Sequence, residues 1–144
     1  MYNVVENFLA NPCRETFGKI RNNPYLLKRT FELDYELAKE FFVFKDWLIL
    51  LSFVGITAEE QSTFKNHLKE CISSFSDAIK YYHQLNYEER LAYQSEFIEQ
   101  AKTVKDCQYL LYSLNKDHRK EIVEKMQQVA VTDEDKRIAF SYVI

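Results

Sequence analysis

His67 and Cys71 stand one helical turn apart, a spacing that puts an imidazole and a thiol on one helix face, with His83 further along as a third metal-ligating side chain. One straight helix cannot bring all three to a single ion. Cys71 lies beside Ile72 on an apolar stripe, so the pair is expected to be a buried thiol and a boundary imidazole, and no metal or cofactor is assigned. Cys107 and His118 are the other pairing within reach across a turn, but no orienting residue or oxyanion loop accompanies them. The carboxylate clusters Glu59-Glu60, Glu88-Glu89 and Asp133-Glu134-Asp135 each fall in the first turn of a predicted helix, where negative charge complements the helix dipole. Capping accounts for them, and no catalytic residue is assigned.

The signatures of several enzyme classes are missing. Gly18 and Gly55 are the only glycines, too far apart for a phosphate-binding loop or a dinucleotide fingerprint. A di-iron bundle needs Glu three residues before His, and Phe64, Lys80 and Asn115 hold those positions. A His-Glu-x-x-His zinc pattern is absent. Helical ribonucleases of the HEPN type place His five to seven positions after Arg, and none of the six arginines is followed in that way.

The elements that must position these side chains are expected to be helical throughout. Two glycines and two prolines in 144 residues compare with average usage of about 7% and 5%, which leaves few left-handed turns or hairpin loops. Asn11-Pro12 and Asn23-Pro24 read as helix starts, each with a capping side chain before a residue that lacks the amide the first turn would leave unpaired. Caps and periodicity together predict segments near 2–10, 12–21, 24–54, 58–84, 87–102, 104–114, 116–130 and 133–142. The expected fold is all-α, a single domain over 1–144. It is an antiparallel bundle of about six to eight helices around a long hairpin formed by 24–54 and 58–84.

The first arm of that hairpin carries heptad-like spacing at Leu27, Thr30, Asp34, Leu37, Phe41, Phe44, Leu48 and Leu51. Beyond Phe41 it is apolar nearly all round, so its own helices or a partner must surround it. Gly55 is expected to end it with Ile56 against Leu51, and Thr57-Ala-Glu-Glu60 forms a capping box that opens the second arm. An echo recurs every 29 residues at Ile56-Thr57, Leu85-Asn86 and Leu114-Asn115, with further caps at Thr103 and Thr132. Two short helices per unit would make a small solenoid, but tetratricopeptide and ankyrin consensus residues are absent, and caps recur in any chain of evenly sized helices.

Composition narrows the functional classes. Three widely spaced cysteines fit neither a disulfide framework nor a zinc finger and are expected to be reduced thiols in the cytoplasm. No signal peptide is expected, and the apolar run from Phe41 to Ile56 is interrupted by Lys45 and Asp46 and is too short to span a membrane. Net charge is −3, although residues 1–30 hold five basic side chains against two acids.

A non-enzymatic interaction module is the preferred reading: a small inhibitor, immunity or adaptor-type protein, of the kind encoded by phages or mobile elements. Its partner would be another protein or a second copy in a homodimer. The residues assigned to that surface are Phe42, Val43, Phe44 and Trp47, with Tyr81 and Tyr82 as an aromatic pair of which Tyr81 is expected to be exposed. The C-terminal Phe140-Ser141-Tyr142-Val143-Ile144 is expected to dock on the body. One alternative is nucleic-acid binding through Arg14, Lys19, Arg21, Lys28 and Arg29, against which the acidic net charge weighs. The other is a metal- or ligand-dependent enzyme in the bundle core. The residues Trp47-Leu48, Phe53-Val54-Gly55-Ile56 and Tyr87-Glu88-Glu89-Arg90-Leu91 are similar to one helix junction of the helical anti-sigma regulators of bacteria, over about a third of the chain and without a functional motif that transfers.

Overall fold

A computed structural model describes residues 2–142; Met1 and the Val143-Ile144 part of the expected C-terminal docking segment lie outside them. The described chain is all-helical and contains no strand. It divides into two compact units, one ending at Ile72 and the other beginning at Ser73.

The first unit holds α1 (Tyr2–Ala10), α2 (Arg14–Gly18), α3 (Pro24–Leu33), α4 (Tyr35–Phe41), α5 (Phe44–Leu51) and α6 (Ala58–Glu70). Asn23 caps α3 as expected, its Oδ1 accepting the amides of Tyr25 and Leu26 at 3.1 and 3.2 Å, with Pro24 in the first helical position. The expected helix over 24–54 is instead three helices. Asp34 turns out of the helix and accepts the Leu37 amide at 3.1 Å, starting α4 afresh. Phe42 and Val43 are extended, and Asp46 accepts the Val43 amide at 2.9 Å to start α5. Short carboxylate side chains compete with the backbone for its own amides, and where they win the helix breaks.

Helix α5 also stops earlier than expected, at Leu51. The amides of Ser52 and Phe53 close its end on the carbonyls of Ile49 and Leu50, both at 3.1 Å. Gly55, at φ +90°, then makes the left-handed step into α6 rather than capping α5. The Thr57–Glu60 box forms reciprocally, both bonds at 3.0 Å. Phe8, Phe17, Ile20, Leu27, Trp47, Leu50, Phe64 and Leu68 fill the core of this unit. Its rings run in sequence, Phe17 to Phe42 at 5.6 Å, Phe42 to Trp47 at 5.0 Å and Phe31 to Phe64 at 4.9 Å.

The second unit holds α7 (Phe75–His83), α8 (Tyr87–Glu99), α9 (Val104–Ser113), a 3-10 turn (Lys116–His118) running into α10 (Arg119–Val129), and α11 (Asp133–Ala139). Ser74 caps α7 and accepts the Asp77 amide at 3.1 Å, so the expected 58–84 helix is also broken in two. With that break in place the 29-residue echo becomes complete. Thr57, Asn86 and Asn115 are caps at one spacing, and Ser74, Thr103 and Thr132 repeat it. Asp77, Asp106 and Asp135 stand three residues after the second set and donate their amides to it. Phe64, Tyr93 and Ile122 are buried at equivalent positions, as are Leu68, Phe97 and Met126.

Within the second unit like helices lie on like. His83 of α7 meets Tyr109 of α9 at 3.2 Å, Gln94 of α8 meets His118 beside α10 at 2.6 Å, and the Lys125 ammonium donates to the Glu99 carbonyl at 2.7 Å. Gln108 of α9 donates to the Tyr142 hydroxyl just past α11 at 3.2 Å. These side-chain contacts link α7 to α9 and α8 to α10 within the unit.

Equivalent caps should have equivalent value. Thr103→Ala and Thr132→Ala are each expected to lower stability by about 1 kcal/mol, and the double variant by their sum, read from urea unfolding midpoints.

Candidate functional site

The structure places most of the expected interface residues inside. Phe42, Phe44 and Trp47 are buried, and only Val43 of that group reaches solvent, half-exposed. Along α5, Phe44, Trp47 and Leu50 are buried within the unit, and Leu48, Ile49 and Leu51 are half-buried. Tyr81 is a correction: it is buried, its ring edge-on to Tyr93 at 4.8 Å, and burial pushes its phenol pKa up. Tyr82 is buried against Phe97 at 4.8 Å, with the Arg90 guanidinium 4.9 Å above its ring. Both adjacent tyrosines find cover on α8, Tyr81 against Tyr93 and Tyr82 against Phe97.

The five basic residues differ in surroundings. Arg14, Lys19 and Arg29 are exposed. Lys28 is tied to Glu60 at 3.1 Å and lies 5.6 Å over the Phe53 ring. Arg21 stacks 4.7 Å over Phe17, with its Nε 3.9 Å from Oδ1 of Asp46.

Asp46 is a feature that sequence reasoning treated only as a break in an apolar run. Its side chain is fully buried. One carboxylate oxygen caps α5, while Oδ1 and the Arg21 Nε lack hydrogen-bond partners. Burial raises the Asp46 pKa, and the Val43 amide and Arg21 pull against that. A buried charge with half its hydrogen bonding unmet is costly.

The histidines each have a partner other than a metal. His67 stacks on Trp47 at 4.4 Å and 18°, meets the Tyr35 hydroxyl at 2.5 Å and has Glu70 3.6 Å from its Nδ1. Cys71 donates its amide to the His67 carbonyl at 3.2 Å. Among the described residues no group of three His, Cys, Asp or Glu side chains could hold a metal ion. Cys107 is fully buried and its thiol is pushed up to about 11, which leaves almost no thiolate for nucleophilic attack.

The exposed aromatic surface lies elsewhere in the first unit, where the start of α3 meets the end of α5. Pro24, Tyr25, Ser52, Phe53 and Val54 line an open notch of about 440 Å³. Tyr25 is 72% exposed and Val54 92%, and the Tyr25 and Phe53 rings meet edge-to-face at 5.1 Å. The Lys28–Glu60 ion pair stands beside it through the stacking of Lys28 on Phe53. The notch exists because α5 ends at Leu51 and releases Phe53 and Val54 from the helix. A reading that extends the helix through residue 54 hides it.

Two outcomes are expected. Trp47→Ala should cost about 3–5 kcal/mol as a core cavity, measured by urea unfolding. Asp46→Asn should gain on the wild type as pH rises. A carboxyl with a raised folded-state pKa contributes its stability below the unfolded value, near 4, and loses it as pH climbs through the folded value. Unfolding midpoints of both proteins at pH 3.5 and pH 7 read that difference directly, and a wild type that gains on the variant over this window would contradict it.

No protein-family model matches the chain, and neither a curated protein nor a solved structure does.

Proposed function

We propose that this chain is a non-enzymatic protein-interaction module, an inhibitor, immunity or adaptor-type protein that binds its partner through the notch formed by Tyr25, Phe53 and Val54. The carrying observation is the grouping of exposed Tyr25 and Val54 around the half-buried Phe53 ring in one concave notch. Aromatic side chains on preformed concave surfaces are the usual anchors of protein interfaces, because they bring large apolar area at small entropic cost. The notch falls in the size range of ligand-binding clefts, about 300–1,000 Å³, and accepts one or two apolar side chains of a partner segment. The polar part of the rim is a ready-made ion pair, Lys28 with Glu60, suited to fixing the register of a partner backbone.

Three cysteines, all free, agree with action in a reducing compartment. No described helix is long and apolar enough to cross a membrane.

The test uses surface positions that do not enter the core. Tyr25→Ser with Val54→Asp should leave circular dichroism and the unfolding midpoint unchanged. It should weaken capture of the partner from the native host by tenfold or more, corresponding to about 1.4 kcal/mol. Light scattering over a concentration series identifies the case in which the partner is a second copy. Equal capture and equal association by the wild type and the double variant would overturn the proposal.

A further inference from the structure

We propose that Tyr35 is a base-activated nucleophile, a phenol that takes an acyl group from an activated ester onto its hydroxyl oxygen, with His67 as the general base. The inference is independent of the notch. Tyr35 opens α4, while His67 and Glu70 occupy the last turn of α6, so the packing of two helices assembles the group.

The geometry decides where the protons are. Glu70 Oε2 is 3.6 Å from His67 Nδ1, and a carboxylate only accepts, so the proton of a neutral ring sits on Nδ1. The Nε2 lone pair then faces the Tyr35 hydroxyl at 2.5 Å, and the phenol donates. This is the nucleophile, base and orienting carboxylate of a catalytic triad, with tyrosine in place of serine.

Two further contacts favour moving the phenol proton to the ring, and a third packs against the phenol. Trp47 stacks under the imidazole at 4.4 Å, a face that attracts imidazolium, and fixes the ring plane. Lys39 holds its ammonium 4.7 Å over the Tyr35 ring, beside the charge that phenolate would carry. Phe31 backs the Tyr35 ring edge-on at 5.2 Å. Glu36, 3.0 Å from Lys39, is the opposing charge and is far more exposed than His67. Tyr35 is 38% exposed, so a small ester can reach it.

In the reaction Oη bonds to the carbonyl carbon as its proton passes to His67 Nε2. The ester C–O bond breaks, the leaving phenoxide of the activated ester departs with the electron pair, and His67 gives its proton to that phenoxide or to water. The product is an O-acyl tyrosine, and nothing is oxidised or reduced.

p-Nitrophenyl acetate is the probe, with acetylation at each tyrosine followed by peptide mass spectrometry on the intact folded protein. Tyr87 and Tyr112, 75% and 93% exposed, serve as internal references. General-base assistance contributes roughly 10²–10⁴-fold, so Tyr35 should acetylate at least tenfold faster than Tyr112 at pH 7. His67→Gln, which keeps a hydrogen-bonding amide, should bring Tyr35 down to the Tyr112 rate, and Tyr35→Phe should remove the fast adduct. Equal rates at Tyr35 and Tyr112 in the wild type overturn the proposal, a result that needs no variant to fold. An unchanged Tyr35 rate in His67→Gln overturns it as well.

Discussion

A helix start leaves backbone amides that nothing inside the helix can accept, and at most helix starts of this chain short polar side chains take them up. Asn23, Asp34, Thr57, Ser74, Asn86, Thr103, Asn115 and Thr132 each accept such an amide, and Asp46 reaches back to one from inside its helix. The result is a set of short helices rather than a few long ones. Short helices can turn often enough to wrap a core dense in phenylalanine and tyrosine, which a pair of thirty-residue rods could not enclose.

The cost of this arrangement is concentrated at Asp46. To start α5 where Trp47 can enter the core, the chain buries a carboxylate whose second oxygen has only the distant Arg21 guanidinium to face. In return Phe42, Phe44 and Trp47 all turn inward, and Trp47 becomes the floor on which His67 stacks. The same early end to α5 leaves Phe53 and Val54 free to meet Tyr25. Both candidate sites of the first unit therefore follow from where one helix begins and ends.

The all-helical class was legible from the scarcity of glycine and proline, and the caps at Asn23, Thr57, Asn86, Thr103 and Thr132 could be read directly. Asp34, Asp46 and Ser74 could not, because each falls on a stretch whose apolar spacing continues through it. Periodicity reports a face, not an interruption, and an aspartate in a helix and one that ends it look alike until the amide three residues away is located. That ambiguity also hid one cap of the 29-residue periodicity, Ser74, which completes it. Interface residues were misplaced for a related reason. Phe42, Phe44 and Trp47 look surplus on a single long helix, whereas three short helices give each of them a neighbour within the unit.

Backbone NMR chemical shifts across residues 24–54 test the capping account most directly. It predicts helical Cα shifts over Pro24–Leu33, Tyr35–Phe41 and Phe44–Leu51, broken by extended values at Phe42 and Val43 and by a non-helical value at Asp34. Uninterrupted helical shifts from Pro24 through Val54 would contradict it, and would remove the notch, the Asp46 cap and the Trp47 floor together.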